Sequence, residues 1–128
     1  MRQAGISDLE KVTEAAFQKE YITLRPLLEA EARVQNQLTR LDAQVQQTRH
    51  DGVSAQGYRV TGTDVLWNGW ESATRRQLNM ELARLRAQKL SALDALRVAF
   101  GRKQAVATLS ADHKEARRRA QNKKLSSL

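Results

Sequence analysis

Cysteine is absent, proline occurs once, and only 5% of the 128 residues are aromatic. Without cysteine the chain can hold neither a disulfide scaffold nor a thiolate metal site. Its two histidines, His50 and His113, stand far apart with no ligand spacing around them, so metal and nucleophile chemistry have no foothold. So few large apolar side chains exclude a sizeable compact core and imply an elongated or partner-dependent chain. No run of about 18 apolar residues is present, and the opening MRQAGISDLEKV has no apolar signal-like stretch. The expectation is a soluble cytoplasmic protein.

The charge is uneven. Residues 1–60 carry eight Lys/Arg and eight Asp/Glu, whereas residues 61–128 carry fourteen against six, so the whole net charge of +8 lies in the second half. That asymmetry suits an acidic protein surface, nucleic acid or anionic lipid, although surplus arginine on a solvated helix also serves solubility alone.

What the chain has in plenty is helix formers at heptad spacing. Ser7, Asp8, Leu9 and Glu10 fit a capping box, in which the Ser hydroxyl accepts from the third amide and the Glu reaches back to the Ser amide. A first helix is therefore expected over about 8–50. Within it Leu24, Leu27, Glu31, Val34, Leu38, Leu41, Val45 and Thr48 fall at steps of three and four, the a/d seam of a coiled coil. Pro26 cannot donate to the carbonyl four residues back, which predicts a first helix kinked or split near that position. A second helix, capped by Thr63 or Asp64, is expected over about 64–122. Leu78, Leu82, Leu85, Lys89, Ala92, Leu96, Ala99, Lys103 and Val106 repeat the pattern, and Leu93 and Phe100 widen the stripe on one side. Lys89 and Lys103 are polar insertions of the kind that fix register, with stems long enough to snorkel outward. Gly101 costs roughly 1 kcal/mol in a helix and is a candidate bend.

Between the helices lies DGVSAQGYRVTG, a loop of about 51–62 with three glycines. It is longer than the two to eight residues usual in a helical hairpin, and so is either a mobile tip or a working loop. The expected fold is all-α: a long antiparallel two-helix coiled-coil hairpin, a single domain over 1–128, whose second helix overhangs the first and ends in a basic C-terminal tail. The polar seam positions Glu31, Lys89 and Lys103 are compatible with either a hairpin monomer or a four-helix dimer.

A two-helix rod offers no water-excluding pocket of the size enzymes use. Asp94 and His113 lie about five turns apart on one helix, and there is no phosphate loop, carboxylate pair or catalytic triad. No catalytic residue, cofactor, metal or small-molecule substrate is therefore expected, and function is sought on the surface. Trp67 and Trp70, at i and i+3 in the opening turns of the second helix with Leu66 beside them, either pack on the end of the first helix around Val45 or anchor a partner, with one ring available for each task. Arg117, Arg118 and Arg119, with Lys114, Lys123 and Lys124, exceed what a helix dipole explains. An acidic protein surface is the preferred partner; nucleic acid comes second, since no aromatics interleave the patch for base stacking. Leu90, Leu93, Phe100 and Leu109 lie off the main seam and are assigned to core packing.

This layout resembles the FliJ family of flagellar type III export proteins, which share it with the YscO-type proteins of injectisomes. The likeness rests on two antiparallel helices, the aromatic pair opening the second, the segment AFGRKQAVATL and the tail DHKEARRRAQNKK, with loose, almost ungapped similarity over Trp67 to Arg119. The resemblance implies a stalk whose helix ends insert into a hexameric export ATPase while the hairpin tip touches the export gate protein, with further contacts to export chaperones. It also implies membrane association only through those partners, at the inner face of the membrane. Trp70 falls at the family's gate-contact aromatic; where the family continues with apolar residues this chain has Thr74, Gln77 and Glu81, and its own apolar positions there are Leu78 and Leu82. The expected tip contact is thus Trp67, Trp70 and Leu78, and the expected basic contact Arg117, Arg118, Arg119, Lys123 and Lys124. The rival readings are a nucleic-acid-binding coiled coil that uses the basic second helix, and a homodimeric scaffold.

Overall fold

The computed structural model describes residues 2–54 and 63–128. Two α-helices account for nearly all of them: α1, Gln3–Ser54, and α2, Thr63–Ser126. No strand occurs among the described residues. The two long helices pack against each other, so the chain is an all-α helical hairpin. Of the expected loop, residues 51–54 close α1 and residues 55–62 lie outside the described residues.

The heptad seam accounts for the packing. All eight α1 positions from Leu24 to Thr48 and all nine α2 positions from Leu78 to Val106 are buried or half-buried. The residues between them are mostly exposed, as a narrow two-helix seam requires.

One expectation about the helices is revised: α1 begins at Gln3 rather than near Asp8, with the Ile6 amide donating to the Arg2 carbonyl at 3.1 Å. Ile6 is fully buried. Its burial is worth about 2–3 kcal/mol against about 1 kcal/mol for a Ser cap, so the helix starts early enough to carry Ile6 inside and leaves Ser7 within it. Of the kink or split expected near Pro26, the split does not occur: α1 runs as one helix with Pro26 inside it. Pro26 and Ile22, whose carbonyl loses its usual amide partner, are both exposed, where water can take the free acceptor. At Gly101, too, α2 is one continuous helix, through to Ser126. Threonines inside α1 are accommodated by back-bonding, Thr13 to the Leu9 carbonyl at 2.8 Å and Thr39 to the Gln35 carbonyl at 3.0 Å.

The chain divides into two compact units, each built from a piece of both helices. One comprises Pro26–Leu90. Its core is Val34, Leu82 and Leu85, with Leu27, Ala30, Leu38 and Leu78 packed against them. Arg75 bridges Glu71 and Asp42, each at 2.7 Å. Lys89 Nζ donates to both Glu31 carboxylate oxygens at 3.0 Å, and Arg86 stands 3.4 Å from the same group. Going from the Glu31–Arg86 pair to the Asp42–Arg75 pair is eleven residues forward in α1 and eleven back in α2, the signature of antiparallel pairing.

The other unit comprises Met1–Arg25 and Ser91–Leu128. Ile6, Leu24, Ala92, Ala99 and Ser110 are its buried residues. Phe17 meets Phe100 with ring centroids 6.0 Å apart. Lys103 pairs with Glu14 at 2.6 Å and holds its ammonium 4.8 Å from the Phe17 ring centroid. Each lysine of the α2 seam thus has an α1 glutamate opposite it. This is the local reason a cation is tolerated at a seam position.

Candidate functional site

Two surfaces carry the expected functional residues, one in each unit. In the unit of residues 26–90, the opening turns of α2 place Trp67 and Trp70 side by side, ring centroids 6.4 Å apart and tilted 48°. Trp67 is half-buried while Trp70 is 53% exposed. With Gln44, Gln47 and Thr48 of α1 they line a shallow groove of about 420 Å³. Trp67 therefore lies on the α1 side and Trp70 carries the larger free aromatic surface. Leu78, the third residue expected at the tip contact, is half-buried and packs against the core of Val34, Leu82 and Leu85.

Leu66, which the sequence sets beside the pair, and Met80, which the sequence reading missed, join Trp70. Leu66 and Met80 are 77% and 68% exposed. Leu66, Trp70, Ala73 and Met80 are spaced by four, three and seven residues, which sets them on one outward face of α2, away from the seam. The signal was present as a second, weaker heptad running beside the main one, interrupted by Gln77.

In the other unit, the seam ends at Ser110, followed by half-buried His113 and Glu115. Every residue from Ala116 to Leu128 is exposed, so this part of α2 is a helix without a packing partner. Arg118 and Arg119 both donate to one Glu115 oxygen, at 2.8 and 3.2 Å. Lys114, Arg117, Lys123 and Lys124 pair with no carboxylate among the described residues. Lys123 and Lys124 occupy the last turn, where cations favour the helix dipole. The other four cations, upstream of that turn, have no such local purpose.

The residues expected off the seam are displaced outward. Leu90, Phe100 and Leu109 are exposed by 63%, 47% and 41%, and only Leu93 is half-buried. Two helices offer one seam, so an apolar residue outside it is only partly covered, as Phe100 is by Phe17.

The strongest electrostatic perturbations fall on ion pairs between and within the helices. Lys89 holds the Glu31 carboxyl below the usual carboxylate range, against the opposing effect of its partial burial. Lys103 and then Gln18 do the same for Glu14, and the carboxylates of Glu71 and Asp42 raise the Arg75 guanidinium. No group of three or more metal-ligating side chains occurs among the described residues. Among those residues, no helix is long and apolar enough to cross a membrane.

Fold and surfaces together define a helical hairpin that presents an aromatic-apolar helix face and a bare basic helix end. Compared with models of known protein families, with curated proteins and with solved structures, the chain matches none of them.

Proposed function

We propose that the chain is a non-enzymatic stalk or adaptor of a flagellar-type (type III) export apparatus. In this reading the basic end of α2 docks on acidic surfaces of a hexameric export ATPase. The face bearing Trp70, with Leu66 and Met80 in place of the core residue Leu78, engages the export gate protein or export chaperones. Nucleotide hydrolysis belongs to the ATPase, and any membrane association comes through these partners.

The observation that carries the reading is the unpartnered basic helix of residues 116–128. Its side chains contribute nothing to the hairpin core, yet it holds Arg117, Arg118, Arg119, Lys123 and Lys124 within eight residues. Charge concentrated this way steers encounter with an acidic partner and sets specificity more than it adds stability. The resemblance to the FliJ family over Trp67 to Arg119 points to the same pair of contacts.

The test is copurification of the chain with an export-type ATPase hexamer, compared with a variant carrying Arg117→Ala, Arg118→Ala and Arg119→Ala. Retention of the unaltered chain and loss of the variant are expected. Absence of binding, together with DNA or RNA binding whose affinity falls steeply with salt as counterions are released, would replace this reading by the nucleic-acid one.

A further inference from the structure

The ion pairs described between the helices share one polarity. Asp42 meets Arg75, Glu31 meets both Arg86 and Lys89, and Glu14 meets Lys103, so α1 supplies the acid and α2 the base each time. The heptad seams are as one-sided. Among the α1 seam positions from Leu24 to Thr48 Glu31 alone is charged, and among those of α2 from Leu78 to Val106 only Lys89 and Lys103 are. The Glu31 and Lys89 side chains are 13% and 25% exposed, deep enough that losing a partner costs more than it would on the open surface.

A purely apolar seam tolerates sliding, because a shift of seven residues returns apolar positions to apolar positions. The charges do not repeat that way. Shifted by one heptad in either direction, Lys103 meets Ser7 or Tyr21, Arg86 and Lys89 meet Leu24 or Leu38, and Arg75 meets Gln35 or Arg49. None of these four cations then stands directly opposite an acid. Glu31 is left against Asn79 and Leu82, or against Leu93 and Leu96. Pairing like helices fails as well, since two α1 seams bring acid without base and two α2 seams bring base without acid. In a parallel pair Glu31 would face Glu31, Lys89 would face Lys89 and Lys103 would face Lys103.

We infer that these charges select the partner of each helix: α1 accepts the seam of α2 in the single alignment of the hairpin, and a second copy of this chain does not associate with it through like helices. A foreign helix takes the place of α2 only if it carries cations at the matching seam positions. Taken as pairs the charges add little stability, because apolar residues at the same positions hold two helices together as well or better, but in more than one way. The inference stands apart from the export reading.

Three variants test it, each followed by thermal unfolding in circular dichroism and by sedimentation equilibrium. Removing the seam charges, with Glu31→Leu, Lys89→Leu and Lys103→Leu, is expected to leave Tm unchanged or raise it, while the single mass of the unaltered chain gives way to a mixture with larger species. Reversing α1 alone, with Glu14→Lys and Glu31→Lys, is expected to lower Tm by roughly 5–10 °C. Adding Lys89→Glu and Lys103→Glu to that variant restores opposite signs and the original net charge of +8, and is expected to recover about half of the loss or more. If the twofold reversal does not fold, the fourfold one is still expected to regain the helical signal and a melting transition. A leucine variant as uniform in mass as the unaltered chain, or a fourfold reversal no more stable than the twofold one, overturns the inference.

Discussion

Replacing Gly101 by alanine should stabilise the protein. Gly101 lies in the interior of α2, exposed, two residues from buried Ala99. A Cβ added there meets no atom within 4 Å. The substitution therefore removes the helix penalty of glycine, about 1 kcal/mol, without clash, and its methyl stays in water and adds no burial. Part of the gain acts through the unfolded chain, which alanine restricts. For a chain of this size about 1 kcal/mol corresponds to a rise of roughly 3–6 °C in Tm, read by thermal unfolding in far-ultraviolet circular dichroism at matched concentrations. Ala99→Gly is the control of opposite sign. It incurs the same penalty and also removes a buried methyl worth about 0.8 kcal/mol, for a loss of about 2 kcal/mol. An unchanged or lower Tm for Gly101→Ala would refute the reasoning, because it would mean that something closes on position 101.

Other outcomes follow from the same packing. Leu82→Ala, in the core with Val34 and Leu85, should cost about 2–3 kcal/mol, toward the low end for buried leucine because a two-helix seam can relax sideways. Leu90→Ala, at a 63% exposed position, should stay within about 0.5 kcal/mol; chemical denaturation separates the two. Lowering the pH should destabilise the hairpin. Glu14 and Glu31 have folded pKa values below their unfolded ones, so the stability they contribute is complete above the unfolded value and is lost as pH falls from about 5 through the lowered values. A Glu14→Gln, Glu31→Gln variant should therefore start from a lower Tm and lose less of it on acidification, and an identical pH profile for both proteins would contradict the pairing. Trp67→Phe leaves exposed Trp70 as the sole tryptophan and should show redder emission than Trp70→Phe, which leaves half-buried Trp67.

The seam was legible in the sequence because burial in a two-helix hairpin depends almost entirely on heptad position. Every seam residue from Leu24 to Thr48 and from Leu78 to Val106 is buried or half-buried. Helix boundaries were less legible. The Ser7–Glu10 box is a local signal, and it lost to the burial of Ile6, which depends on a helix a hundred residues away. Pro26 predicts a kink or a split, and of the two the split is not enforced at an exposed position. Lys89 and Lys103 could be recognised as polar seam residues, but their partners Glu31 and Glu14 depend on how the two helices are aligned, which spacing within one helix does not reveal. The tip was half legible. The aromatic pair stood out by composition and Leu78 was legible as a seam residue, whereas the division of labour between Trp67 and Trp70 and the outward setting of Leu66 and Met80 required knowing which side of α2 faces α1. The exposure of every residue from Ala116 to Leu128 agrees with the expected overhang of the second helix.

The central claim is that the basic end of α2 acts on an ATPase that does the chemistry itself. The most direct test is the ATP turnover of an export-type ATPase hexamer with no addition, with the unaltered chain, and with the Arg117→Ala, Arg118→Ala, Arg119→Ala variant. The account predicts stimulation by the unaltered chain that falls with added salt and is lost or much reduced in the variant, while both proteins unfold at the same temperature. Turnover unaffected by the chain, or stimulated equally by the variant, would contradict it.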